Sequence, residues 1–275
     1  MKKQKIAIQG WHGSFHHLAL NNYFNNPVEI VCCGQFSDMF TLLANNEVDS
    51  ILLAIENSVA GSIHNNYKLL KNHNFKITGE IYLRIVQNLI GLKGQKIENI
   101  SEIKSHSMAL AQCTDFLNKF SHIKASESVD TALSAKEISE ENKPGIATIG
   151  CSMAADIYGL EIIAESIENN KENYTRFLIV EKENLNINFN KVSLYFTLPH
   201  KVGSLADVLN TTAKYNLNLT KIESLPVLGA KWKYEFYIDL IVDNLEIYEK
   251  ALKIILSQTL ELKVLGEYKE GIEII

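Results

Sequence analysis

One pattern constrains this chain more than any other, and it recurs through the first 152 residues. A short apolar run ends in a small or hydroxylic residue, and helical spacing starts there: at Ser14, Ser58, Ser105, Ser128 and Ser152. The runs read as strands over residues 5–9, 28–32, 50–55, 100–104, 123–125 and 145–149, with residues 75–92 strand-rich as well. Residues 50–55 are almost all apolar, as expected of a parallel strand covered on both faces. Strands alternating with helices imply an open, mostly parallel sheet. Ligands of such sheets bind beyond the carboxyl ends of the strands. Helix N-termini gather there, and their unpaired N–H groups and positive dipole ends favour anions. Any one of these serines, taken alone, is a helix cap; several on one sheet edge make a carboxylate ligand the expectation.

The pattern stops after Glu181. Residues 182–190 are polar, Asn-rich and aperiodic, and read as a linker. The order after it is strand (192–198), helix (through Leu205, Val208, Leu209 and Ala213), strand (217–222), strand (232–242), helix (247–256), strand (260–265). This is βαββαβ, a split βαβ sandwich of the ferredoxin-like kind. The expected organisation is therefore a larger α/β domain over 1–181, a linker over 182–190 and a small domain over 191–275. A length of 275 residues accommodates two domains, the larger of them bilobed.

Charge and cysteines exclude several partners. The formal charge is only −5 and no Lys/Arg-rich block occurs, so nucleic acid is not expected. Cys32, Cys33, Cys113 and Cys151 form neither a Cys-x-x-Cys pair nor a zinc spacing. They fit reduced, buried thiols in a cytoplasmic protein. The apolar run behind Met1-Lys2-Lys3 is only Ile6-Ala7-Ile8, too short for a signal peptide. No apolar segment is long enough to span a bilayer, so no membrane is expected.

Residues 172–177, Glu-Asn-Tyr-Thr-Arg-Phe, concentrate chemistry where a loop enters a strand. Arg176 offers a planar fork of donors suited to a carboxylate. Thr175 offers a compact hydroxyl, and Phe177 an apolar wall.

In these residues the chain resembles prephenate dehydratase with a C-terminal ACT regulatory domain, and the resemblance runs over nearly the whole length. The family's Gly-Pro-x-Gly-Thr-Phe-Ser corresponds to Gly10-Trp11-His12-Gly13-Ser14-Phe15-His16, and its Pro-x-Glu-Asn-Ser-x-x-Gly to the stretch from Ala54 through Glu56, Asn57 and Ser58 to Gly61. Its Ser-His-Pro-Gln, followed by Gln-Cys, corresponds to Ser105-His106-Ser107-Met108 and Gln112-Cys113. Its Asn-x-Thr-Arg-Phe is intact from Asn173 to Phe177. The regulatory Gly-Ala-Leu becomes Gly203-Ser204-Leu205, and Asn-Leu-Thr-x-Ile-Glu-Ser-Arg-Pro becomes Asn218 to Pro226, with Leu225 in place of Arg.

The resemblance implies a bilobed, periplasmic-binding-protein-like (type II) catalytic domain and an ACT domain that pairs in a homodimer or homotetramer. It implies decarboxylative dehydration of prephenate to phenylpyruvate, with no metal, flavin or nicotinamide cofactor, and feedback inhibition by L-phenylalanine. By resemblance Thr175 donates to the departing oxygen, with Glu56 and His106 as the titratable candidates beside it. Ser14, Asn57, Ser58, Ser105, Gln112, Arg176 and Phe177 would bind substrate. Gly203, Ser204, Leu205, Asn218, Leu219, Glu223 and Ser224 would form the phenylalanine site. Glu56 also reads simply as an ion-pair partner, and His106 as a helix cap. Two other readings share the fold: an arogenate dehydratase, and a non-catalytic amino-acid sensor. The intact Thr175 motif speaks against the sensor.

Overall fold

The computed structural model describes residues 3–184, 188–227 and 229–274. Residues 185–187 of the expected linker, 182–190, lie outside the described residues. The chain divides into two compact units: Met1–Ile63 with Ile81–Phe177 and Glu273–Ile275, and His64–Glu80 with Leu178–Ile272.

The first unit holds two lobes. In one, Lys5–Gln9 pairs in parallel with Glu29–Cys33 on one side and Ser50–Asn57 on the other, and Tyr174–Glu181 follows Ser50–Asn57 in the sheet. Ile51 to Ile55 are all buried, as a strand covered on both faces requires. Helices Phe15–Tyr23 and Phe36–Ala44 supply Leu20, Met39 and Phe40 to the same core. The other lobe is a five-stranded sheet ordered Glu161–Ala164, Asn88–Gly91, Ile146–Gly150, Glu102–His106, Lys124–Ser128. Its inner three-strand ladder is parallel where helices connect the strands, and Asn88–Gly91 runs antiparallel to it. The α/β, two-lobed expectation holds.

The helix starts differ from expectation in detail. Ser14 caps its helix, accepting from the His17 N–H at 3.3 Å. At Ser105 and Ser128 the strand carries on through the serine and a later residue caps, whereas at Ser152 the strand has already ended at Gly150. His106 Nδ1 accepts from the Met108 N–H, Asp130 Oδ1 accepts from both Ala132 and Leu133 N–H, and Cys151 precedes helix Ser152–Tyr158. Ser58 caps nothing; the next helix is His64–Asn72. A carboxylate that accepts two N–H groups satisfies more of a helix start than a hydroxyl does, which is why Asp130 and not Ser128 takes that place.

In the second unit Lys191–Thr197, Ser204–Lys214, Asn218–Pro226, Tyr234–Ile241, Leu245–Gln258 and Glu261–Tyr268 follow in the expected βαββαβ order. The antiparallel sheet is ordered Asn218–Pro226, Tyr234–Ile241, Lys191–Thr197, Glu261–Tyr268. Val192, Leu194, Phe196, Ile238 and Leu240 pack with Val208, Tyr248 and Ala251 of the two helices. The division in space is not the one expected at 181 and 191. Helix His64–Asn72 belongs to this unit because Tyr67 packs on Tyr237 (ring centroids 4.9 Å apart) and Lys71 pairs with Glu235 at 2.5 Å. Lys191, almost fully buried, pairs with Glu80 at 2.8 Å, so a charge inside this unit is met by its partner.

Candidate active site

A cleft of about 440 Å³ opens within the first unit, in the size range of small-molecule sites. One lobe contributes Ser14, His16, Asn57, Thr175 and Phe177; the other contributes His106, Gln112, Asp130 and Thr131. Apolar walls come from Phe15, Ile85 and Met108. No Lys or Arg is among the described lining residues, and Asp130 is the one carboxyl among them.

Thr175 reaches the cleft because strand side chains alternate. Thr175 and Phe177 face it, and Arg176 between them does not. Arg176 is buried on the opposite face, its guanidinium 5.8 Å from the Tyr82 ring centroid. The expectation is that Arg176 contacts a substrate carboxylate or orients the loop that does; Arg176 is not among the residues lining the cleft, because the period of two that presents Thr175 turns its neighbour away.

The Thr175 hydroxyl is oriented by Asn57. Asn57 Oδ1 accepts from Val59 N–H (3.0 Å) and Ala60 N–H (2.8 Å), which fixes the amide. Its Nδ2 then faces Asn173 Oδ1 (2.7 Å), the Tyr174 carbonyl (3.2 Å) and Thr175 Oγ1 (3.0 Å). Asn173 Nδ2 in turn donates to Gln112 Oε1 at 3.1 Å, and Gln87 Nε2 donates to the same oxygen at 3.1 Å. With Oε1 doubly engaged, the Gln112 amino group is the part left to meet a ligand. The network therefore joins the two lobes behind Thr175.

Ser58 supports this loop from outside the cleft. Its Oγ donates to the Glu172 carbonyl at 2.8 Å and accepts from Tyr174 N–H at 2.9 Å. Two further expected residues stand elsewhere. Ser105 is fully buried and donates to the Ile149 carbonyl at 2.6 Å, so it ties two strands and is not among the residues lining the cleft. Glu56 lies opposite Ser62 in the short ladder that ends its strand, and is not part of the cleft wall.

Two cleft residues are titratable and buried. His16 packs edge-on against Phe177 (centroids 4.9 Å apart), and its Nε2 has no hydrogen-bond partner. Burial pulls its pKa down to about 3, so the ring is neutral. Burial pushes the Asp130 carboxyl up, against the pull of its two backbone N–H bonds and nearby His106. The motifs give no cue to Gln87 or Asp130. Asp130 before Thr131-Ala132 is an N-cap pattern, and that alone would have put it at a strand's carboxyl end. The thiols of Cys33, Cys113 and Cys151 are pushed up by burial to about 11, about 12 and about 11, so none offers a thiolate.

In the second unit Gly203 precedes helix Ser204–Lys214 at φ 86° and is exposed, as are Asn218 and Ser224. The other expected effector residues are engaged. Ser204 Oγ donates to the Pro199 carbonyl at 2.8 Å, Leu205 and Leu219 pack on the core, and Glu223 meets His64 (3.2 Å) and Lys221 (3.7 Å). Leu225, in the place of the family's Arg, is buried.

Among the described residues no group of His, Cys, Asp and Glu has the geometry of a metal site, and no helix is long and apolar enough to cross a membrane.

The prephenate dehydratase family model matches residues 6–185. The chain is 37% identical over 278 residues to arogenate dehydratase/prephenate dehydratase 2 of Arabidopsis thaliana, covering 96% of this chain and 72% of the relative. It is 31% identical over 273 residues to the bifunctional chorismate mutase/prephenate dehydratase of Enterobacter agglomerans, covering 96% and 70%. The structure of prephenate dehydratase from Arthrobacter aurescens in complex with L-Phe superposes with a TM-score of 0.86 at 25% identity, covering 96% of this chain and 89% of that one.

Proposed function

The chain belongs to the prephenate dehydratase family, and from that membership we propose how its own residues carry the reaction. The enzyme is a carbon–oxygen lyase that converts prephenate to phenylpyruvate, water and CO2. The ring C–OH bond and the C–CO2 bond break, and the electron pair of the latter enters the ring to make it aromatic. The protein has to hold a dianion, keep water out and help the hydroxyl leave.

One observation carries the assignment of roles. Asn57 donates to Thr175 Oγ1, so the Thr175 proton is not needed to satisfy Asn57 and is available to the departing oxygen. A threonine hydroxyl is too weak an acid to give up its proton outright at neutral pH, so Thr175 acts as a hydrogen-bond donor to the developing hydroxide. Phe177 and His16 form an aromatic wall beside the ring. With no Lys or Arg among the described lining residues, the carboxylates are held by individual hydrogen-bond donors. These are the N–H groups at the start of helix Phe15–Tyr23, the Ser14 hydroxyl, and the Gln112 and His106 side chains.

The βαββαβ unit is read here as an ACT domain that binds L-phenylalanine where two copies pair, in a homodimer or homotetramer. Support comes from the Gly203-Ser204-Leu205 and Asn218 to Pro226 motifs, and from the L-Phe complex of the Arthrobacter relative. Free cysteines fit a cytoplasmic setting. The test is direct: purified protein is incubated with prephenate, and separately with arogenate, while phenylpyruvate and phenylalanine are followed. Phenylpyruvate from prephenate is the expected result; turnover of arogenate alone would contradict it.

A further inference from the structure

A carboxyl group in a cleft built for a dianion is an electrostatic conflict, and Asp130 is such a group. It is 8% exposed and lines the same cleft as Thr175. Its two oxygens do different things. Oδ1 caps helix Thr131–Glu141, accepting from Ala132 and Leu133 N–H at 2.9 Å each. Oδ2 takes no part in the cap and lies close to Gly10, where a Cβ would stand only 2.7 Å away. Gly10 has φ 91°, so its missing side chain makes room for this oxygen at the first strand's carboxyl end.

The conflict disappears if the carboxyl is neutral when substrate is bound. A dianion entering the cleft disfavours a further negative charge beside it and excludes the water that would solvate one. A neutral carboxylic acid beside a departing hydroxide is the proton source that Thr175 cannot be. We propose that Asp130, through Oδ2, donates the proton that turns the departing hydroxyl into water, with Thr175 holding that oxygen by its hydrogen bond. This rests on the prephenate dehydratase reading of the cleft. The step balances. The Asp130 O–H bond breaks and a water O–H forms, directly or through one bridging water, as the ring C–O bond breaks. The electron pair of the C–CO2 bond enters the ring as CO2 departs. Asp130 is left as a carboxylate and regains its proton from solvent before the next turnover.

Burial already raises the Asp130 pKa in the free protein, in the direction the role needs. The titratable groups around it are His106 at the end of strand Glu102–His106, Cys32 on strand Glu29–Cys33 and Tyr158 at the end of helix Ser152–Tyr158. Cys32 and Tyr158 are themselves pushed up by burial and stay neutral, which leaves His106 as the group to separate from Asp130.

The test is the pH profile of kcat for prephenate in the wild type, Asp130→Asn and His106→Asn. Asn keeps an Oδ1 for the cap at either position and cannot titrate. For Asp130→Asn the expected result is a kcat at least tenfold lower, a KM within about threefold, and loss of the wild type's alkaline decline. His106→Asn should retain that decline. A kcat within twofold of wild type in Asp130→Asn, or an alkaline decline that persists there and vanishes in His106→Asn, overturns the proposal. Should Asp130→Asn not fold, carbon-13 NMR of side-chain carboxyls in the wild type decides. A carboxyl whose protonation extends to higher pH on saturation with phenylpyruvate supports the role, and its absence refutes it. Wild-type turnover in the same assays separates the two claims: no turnover of prephenate would reject the reaction itself, not Asp130.

Discussion

The Asn57 side-chain amide donates to Thr175 Oγ1 at 3.0 Å, from an orientation fixed by two backbone N–H groups on its other end. Thr175 is thereby an acceptor toward the protein and a donor toward the cleft. Replacing Asn57 by Asp reverses that polarity: the carboxylate would draw the Thr175 proton to itself and would face the acceptors Asn173 Oδ1 and the Tyr174 carbonyl. Asn57→Asp should therefore have a lower kcat than Asn57→Ala, and should unfold more easily by about 1–3 kcal/mol. Steady-state kinetics and urea unfolding of the two variants check both statements. Equal kcat values would show that the direction of this hydrogen bond does not matter.

His16 makes stability depend on acid. Its pKa is about 3 in the folded protein, against about 6.5 in an unfolded chain. Between those values the unfolded state binds more protons, so His16's contribution is complete above about pH 6.5 and is lost as pH falls toward 3. Going from pH 7 to pH 5, the loss in unfolding free energy should be roughly 2 kcal/mol smaller in His16→Gln than in the wild type. Parallel urea titrations at the two pH values measure it, and identical losses would mean that the ring takes up its proton in the fold as readily as in the unfolded chain.

Arg176 is turned away from the cleft, so its removal should act on the fold. Arg176→Ala should lower the Tm by several degrees while leaving KM for prephenate within about threefold, and Arg176→Lys should recover only part of the Tm, because an ammonium does not reproduce a buried planar guanidinium. Differential scanning fluorimetry beside steady-state kinetics decides. A large rise in KM with Tm unchanged would restore Arg176 to the substrate.

Phenylalanine should lower activity and raise the Tm of the whole protein, since a ligand that prefers one state stabilises it. Gly203 at φ 86° favours glycine, and a β-branched residue there would be strained. Gly203→Val should therefore weaken inhibition by phenylalanine at least tenfold while the uninhibited rate stays close to wild type. Inhibition curves of equal midpoint would place the effector elsewhere.

Much of the fold could be read from periodicity. The buried run at Ser50–Asn57 and the βαββαβ order after residue 190 depend on local hydrophobic spacing, which sequence records directly. Family resemblance singles out Thr175, through the motif between Asn173 and Phe177, and it lines the cleft. What escaped was set by contacts distant in sequence. Ser105 has the look of a helix cap, yet its hydroxyl is taken by Ile149, 44 positions away. Helix His64–Asn72 gives no sign in its own sequence that Tyr237 and Glu235 will claim it. Arg176 illustrates a third case: the motif that names it says nothing of strand parity, and parity decided which way it faces.

The central claim is that the Thr175 hydroxyl acts on the departing oxygen and not on substrate binding. Single-turnover and steady-state kinetics of Thr175→Ala and Thr175→Ser with prephenate test it most directly. The account predicts that Thr175→Ala loses about 10²–10³ in kcat with KM within about threefold, and that Thr175→Ser, which keeps a donor, recovers most of the rate. A raised KM with kcat preserved in Thr175→Ala would contradict it.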